Sequence, residues 1–133
     1  MSPDHFLASL AGGQLGGADS DFVIVEWADS GDSGYDWIAP LHVHNADDEA
    51  WYVLEGVLCI QRGDEIVEAR AGSAVLVTQG TPHTYWNPGP DRARYLLVMT
   101  GNTYGLIQAI HAASDRSPAN LRPLFAAYDS ELL

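Results

Sequence analysis

From Glu49 to Thr100 the chain is a succession of short runs rich in β-branched and aromatic residues, each closed by glycine or proline. EAWYVLE, VLCIQR, EIVEAR, AVLVT, HTYWN and RYLLVMT are parted by Gly56, Gly63-Asp64, Ala71-Gly72-Ser73, the loop around Gly80 and Pro82, and Pro88-Gly89-Pro90-Asp91. Short strands at regular spacing with such turns predict an antiparallel sandwich or barrel. FVIVEWA (Phe22 to Ala28) adds a firm strand, ended by the turn-forming DSGDSG, and YDWIAPLHVH reads as a second extended stretch. After Gly101 the period changes. YGLIQAIHAA and PLFAAYDSELL space apolar residues at three and four, the helical interval, and Ser117-Pro118 has the form of a helix start. The expected architecture is all-β: a barrel over residues 22–100 with a helical segment over 101–133 packed on it. A flexible glycine-rich lead-in over 1–21 precedes the barrel, with a short helical turn at Pro3 to Leu10.

The length of 133 residues suits one core. Charge narrows the partners. Eighteen acids stand against six arginines and no lysine, a formal net charge of -12. Such a field repels phosphate backbones and anionic lipids, so neither nucleic acid nor a membrane surface is an expected partner. No apolar run approaches a membrane span, and the opening MSPDHFLASLAGG lacks the basic start and apolar segment of a signal peptide, so a cytoplasmic protein is expected. Cys59 stands alone, which rules out an intramolecular disulfide, and with no basic neighbour in sequence it reads as a small core residue rather than a nucleophile.

The chemistry concentrates in LHVHNADDEAWYVLEG, Leu41 to Gly56. Residues i and i+2 of a strand share a face, so His42 and His44 project side by side. The polar NADD can turn the chain so that Glu49 returns beside them, while His83 arrives from another strand behind a Gly-Thr-Pro corner. Imidazole and carboxylate together suit a borderline divalent transition-metal ion such as iron, manganese, nickel, copper or zinc. Two histidines and a carboxylate leave coordination positions open to oxygen or substrate, and a fourth ligand from His83 still leaves room on an octahedral ion. His5 and His111 lie apart, one in the lead-in and one on a helix, and read as surface residues.

These residues resemble the two motifs of a single-domain cupin. The first motif is glycine, five residues, His-X-His, three or four residues, Glu, six residues, Gly, and His42, His44, Glu49 and Gly56 match it in type and spacing. The second is Gly, five residues, Pro-X-Gly, two residues, His, three residues, Asn, and Gly72, Gly80, His83 and Asn87 match. Asp36 replaces the opening glycine of the first motif, with Gly34 two residues earlier, and Thr78 replaces the proline of the second. Both departures fall at turn positions rather than ligands. The resemblance implies a double-stranded β-helix, a jelly-roll barrel of two antiparallel sheets, with one ion in the lumen held by His42, His44, Glu49 and His83. Many small cupins pair through an edge strand or an N-terminal arm, so a homodimer is expected by the same resemblance.

Alternation from Glu49 puts Trp51 and Val53 on the inward face, and alternation from His83 does the same for Tyr85 and Asn87. Trp51, Val53, Tyr85, Tyr95 and Met99 are the expected substrate lining, with Trp37 and Leu97 beside them. Such a lining suits a small, largely apolar or aromatic molecule better than a phosphorylated sugar. Arg62, Arg70, Arg92 and Arg94 flank turns and read as solvated strand ends, Arg94 being the first candidate to enter the lumen. Two functions follow. One is a metal-dependent enzyme resembling the quercetin dioxygenase-like small cupins, with Glu49 as ligand and catalytic base, and with isomerase, lyase or hydrolase chemistry open to the same ion. The other is a non-catalytic module that senses a small molecule or the metal. Regulatory cupins usually carry a DNA-binding segment, and neither a helix-turn-helix stretch nor positive charge for one is present here.

Overall fold

The structure is a computed structural model that describes residues 5–32 and 38–133. Trp37, Asp36 and Gly34, and the first part of the helical turn expected at Pro3 to Leu10, lie outside the described residues. Two five-stranded antiparallel sheets enclose one core. The first runs β1 (Gln14–Leu15), β2 (Val23–Asp29), β9 (Ala93–Met99), β4 (Glu49–Glu55), β7 (Ala74–Val77). The second runs β10 (Ser130–Leu132), β3 (Ala39–His44), β8 (His83–Trp86), β5 (Val57–Arg62), β6 (Glu65–Arg70). Sequence neighbours β4 and β5 fall in different sheets, as do β7 and β8, which is the jelly-roll exchange of strands. The all-β expectation holds, and most strand limits agree with the runs read from sequence.

Alternation places the core. Along β9, Ala93, Tyr95, Leu97 and Met99 are buried while the residues between them are partly exposed. Along β4, Glu49, Trp51 and Val53 face the same way, so the carboxylate stands on the inner face with the large apolar side chains. Gly56 turns the chain from β4 into β5 at φ +77, and a Cβ there would lie 2.3 Å from the Arg92 carbonyl oxygen. Only glycine fits that corner.

Three segments differ from expectation. Residues 5–10 form no α-helix, and the glycine-rich lead-in is tied to the sheet by β1, which pairs antiparallel with β2. Positive φ at Gly12 and Gly16 supplies the turns on either side of that short strand. At the other end, α1 (Gly101–Ala112) and α2 (Pro118–Ala127) form as read, with Thr100 capping α1 through its side chain, whereas the Ser117 hydroxyl makes no cap hydrogen bond. The last residues are the third difference. Ser130 to Leu132 extend the second sheet as β10 beside β3, because the chain turns at Asp129, φ 56, and the helix cannot continue through it. Helical spacing in PLFAAYDSELL therefore covers only its first part. Leu106, Leu121 and Phe125 make a second apolar cluster that seats the helices against the barrel.

Candidate metal centre

His42, His44, Glu49 and His83 converge, with one ligand atom from each lying within 4.8 Å of all the others. All four are buried. Four elements of local structure bring this about. A bulge in β3 sets Ala39 opposite Tyr85 but His42 opposite His83, so an extra residue between them re-aims the histidine strand. Glu49 opens β4 opposite Val77, where Gly80 donates its N–H to the His44 carbonyl at 2.7 Å and ties the β7–β8 corner to β3. Thr78, in the place of the motif proline, closes that corner by accepting from the Thr81 N–H at 3.2 Å. The departure from the motif is absorbed without moving a ligand. Across the sheet, His44 is in register with Ser130 of β10.

Each imidazole is oriented through its Nδ1. His42 donates to the Pro40 carbonyl at 2.6 Å and His83 to the Thr81 carbonyl at 2.9 Å. His44 donates to Ser130 Oγ at 2.7 Å, and that hydroxyl spends its own proton on the Tyr128 carbonyl at 3.1 Å. A carbonyl can only accept, so the proton of each ring is placed on Nδ1 and every Nε2 is left for the centre. The Nε2 atoms of His42 and His44 are 3.1 Å apart, two lone pairs facing each other. His83 Nε2 lies 3.0 Å from Glu49 Oε1, and His44 Nε2 3.8 Å from the same oxygen. Lone pairs and a carboxylate packed this closely in a buried cluster suit a cation at their centre. The donor set, three imidazole nitrogens and one carboxylate oxygen, fits a divalent transition-metal ion.

The titration of the cluster says the same. Burial, reinforced by the neighbouring His83, lowers the His42 pKa to about 4, and burial also lowers that of His44 despite the Glu49 charge. Burial opposes charge on Glu49 and on His83 as well. There, however, their mutual hydrogen bond and attraction win, so the carboxyl is held below its usual range and His83 is raised above 6.5. Two rings are kept neutral as ligands require, and at His83 an ion would take the place of the 3.0 Å contact between Nε2 and Glu49.

The centre opens into a cavity of about 370 Å³. Its wall is largely apolar: Trp27, Ile38, Leu97, Leu106, Ile107 and Phe125, joined by Tyr85 and Tyr95. Of the five expected lining residues, Tyr85 and Tyr95 reach the cavity. Trp51, Val53 and Met99 are on the correct face of their strands but are 1%, 0% and 1% exposed and fill the core behind it. Alternation gives the face of a side chain, not its depth in the barrel. Trp51 stands edge-on to both His83 and Tyr85, at 5.9 and 5.4 Å between ring centroids, and so packs the ligand ring from behind.

Sequence reasoning missed the contribution of the C-terminal segment. Helix α1 supplies Thr103, Leu106, Ile107, Ile110 and His111 to the wall, and α2 supplies Phe125, which stands edge-on to His42 at 5.7 Å. His111, expected simply at the surface, is exposed at the cavity rim, 6.4 Å from the Trp27 ring. Ser130, read as helix, positions His44. No local signal marks it, because its role depends on β10 pairing with β3. Arg94 stays outside, within 3.5 Å of Glu26 and of Glu55, and among the described residues no arginine lines the cavity. Cys59 is buried in β5, where burial raises its thiol pKa, as a packing residue should.

Residues 35–99, the stretch that carries His42, His44, Glu49 and His83, match the family described as Cupin domain. Among proteins of solved structure, a protein with a double-stranded β-helix domain from Klebsiella pneumoniae is 25% identical, with a TM-score of 0.53 over 65% of this chain and 72% of that one. A sugar phosphate isomerase from a cupin superfamily, from Silicibacter pomeroyi, has a TM-score of 0.53 at 22% identity, over 61% of this chain and 51% of that one. In sequence, a mannose-1-phosphate guanylyltransferase of Salmonella muenchen is 29% identical over 68 residues, 51% of this chain. This chain covers only 14% of that protein's length, so the likeness is to one part of it. Among the described residues no helix is long and apolar enough to cross a membrane.

Proposed function

We propose that this protein is a metal-dependent enzyme of dioxygenase type acting on a small, largely apolar or aromatic molecule that bears oxygen. One observation carries the reading: three imidazoles, each locked through Nδ1, present Nε2 beside a buried carboxylate at one end of an apolar cavity. A divalent ion held by His42, His44, Glu49 and His83 would supply Lewis-acid stabilisation of a substrate oxyanion. The chain's own residues do the rest. Phe125, Leu106 and Ile107 exclude water and seat a ring, while Glu49, ionised and 5% exposed, stands ready to accept a proton from a substrate group entering beside it.

The wall also argues against the phosphorylated sugars named for two of the similar proteins. A phosphate asks for arginine, lysine or a cluster of backbone N–H groups. Here the only acid at the wall outside the ligands, among the described residues, is Asp29, and no arginine lines it. A sugar phosphate would meet an acid where it needs a base.

The test is oxygen uptake by protein loaded in turn with iron, manganese, nickel, copper and zinc, on flavonols, catechols and β-diketones. Turnover with at least one redox-active ion and none with the His44→Ala variant is expected. Tight binding of these compounds with no turnover under any ion would favour a sensing module instead. Failure to retain close to one ion per chain would sink the metal reading itself.

A further inference from the structure

Beyond the ligand cluster, the cavity wall contains a buried polar pair with an unused proton. Tyr85 stands in β8 of one sheet and Tyr95 in β9 of the other, and their hydroxyls meet across the barrel interior at 3.0 Å. Their rings are edge-on, 5.7 Å between centroids. Two phenols carry two protons, and the bond between them uses one. Whichever tyrosine donates, the other's proton has no acceptor among the described residues. Both side chains line the cavity and are otherwise buried, 4% and 2% exposed, so the free proton faces whatever the cavity holds. A buried donor left without a partner costs about 1–3 kcal/mol, and an acceptor standing in the cavity removes that cost.

Position along the strand gives the spacing. Tyr85 follows His83 by two residues on β8 and on the same face, about 7 Å along the strand. The metal end and the phenol end are therefore one same-face step apart along β8, on the wall of one cavity. Asp29 lies on the same wall, and its Oδ1 is occupied by the Gly31 N–H at 2.9 Å. With no arginine or lysine to balance it, an anionic group at this end is repelled.

We propose that the Tyr85–Tyr95 pair is a second anchor of this cavity, donating its free proton to a carbonyl, ether or hydroxyl oxygen of an uncharged, ring-sized molecule. The molecule's other oxygen faces the cluster of His42, His44, Glu49 and His83, and for that end only the inference rests on the metal reading above. The pair is thereby a specificity-determining feature, one that separates two-oxygen molecules from their one-oxygen analogues.

Matched probes test this on the intact chain. 4-Hydroxyacetophenone and 4-ethylphenol share a ring, a phenol and nearly a shape, and differ in the distal carbonyl. Calorimetric or NMR titration of zinc-loaded protein should find the ketone bound about tenfold more tightly, the worth of one satisfied hydrogen bond. In the Tyr85→Phe, Tyr95→Phe double variant, which removes only the two oxygens, the ratio should fall to about one. 4-Hydroxybenzoate should bind at least about tenfold more weakly than the ketone, since its carboxylate meets Asp29. A ratio near one in the wild type, a ratio unchanged in the double variant, tighter binding of the anion, or binding of no probe at millimolar concentration would each overturn the proposal. A lowered melting temperature with an unchanged ratio marks the pair as structural only and also overturns it. The same titrations without zinc separate the two readings: binding indifferent to zinc counts against the metal site, and loss of the ratio counts against the anchor.

Discussion

Ser130 offers the sharpest test of how the centre is built, because it touches the ligand His44 without being a ligand. Ser130→Ala deletes one oxygen, the acceptor 2.7 Å from His44 Nδ1. Serine and histidine are 2% and 3% exposed, so no water replaces it. The ring then has two choices. It can keep its Nδ1 proton unpartnered, at about 1–3 kcal/mol, or move the proton to Nε2, where His42 Nε2 waits 3.1 Å away to accept it. The second choice blocks the lone pair that an ion needs. Either way the ion-binding form is disfavoured by an amount equivalent to about tenfold to a hundredfold in affinity, the range seen when the orienting partner of a ligand histidine is removed. Competition of the apoprotein against a chromophoric chelator for zinc or manganese measures this directly. Ser130→Thr, which keeps the hydroxyl, should restore most of the affinity. Wild-type affinity in Ser130→Ala, or an equal loss in both variants, would refute the reasoning and leave β10 as a plain edge strand.

Other consequences are as definite. His44→Ala should abolish ion retention through dialysis, since it removes one ligand and leaves the His83–Glu49 pair without its neighbour; metal analysis that still finds close to one ion per chain would contradict the four-residue assignment. In the ion-free protein, ring-nitrogen NMR should find His42 protonating near pH 4 and His83 above 6.5. Because the folded value of His42 is the lower one, the unfolded chain binds the proton first as pH falls. Its share of stability is complete above pH 6.5 and is lost toward pH 4, by at most on the order of 3 kcal/mol. His83 acts in the opposite sense, its share being complete below 6.5 and lost as pH rises through its raised value. Three rings titrating together near 6.5 would show that the cluster is looser than drawn. Gly56→Ala should lower stability by more than about 2 kcal/mol, combining left-handed strain with a 2.3 Å approach to the Arg92 carbonyl, and urea unfolding that shows no change would place the β4–β5 corner elsewhere.

The strands and the ligands were readable for a local reason. Apolar alternation and turn glycines act within a few residues, and so does the i, i+2 geometry that pairs His42 with His44. His83 needed one further inference, an all-β scaffold with facing strands, and the turn at Gly80 supplied it. The bulge in β3 was not readable, since Pro40 and Leu41 carry no mark that says which of two registers wins against β8. What decides it is tertiary: Thr84 donating to the Ala39 carbonyl and the His42–His83 pairing hold the strand on both sides of the extra residue.

The cavity was the least legible part, and the reason bears on function. Strand alternation assigns a side chain to the inner face, but a jelly-roll has only part of its interior open, and the rest must be packed to stay folded. Trp51, Val53 and Met99 belong to the packed part and Tyr85, Tyr95 and Leu97 to the open part, although all six obey the same period. The division is made by the chain's last third, where α1 lays Leu106 and Ile107 over the barrel mouth and α2 brings Phe125 against His42. The ligands sit on strands that pair with both neighbours, while much of the wall above them comes from two helices, seated by the Leu106, Leu121 and Phe125 cluster and by Tyr104 in the main core. Substitutions at Leu106, Ile107 or Phe125 should therefore change which molecule fits with little change in ion affinity, as long as β10 keeps Ser130 beside His44.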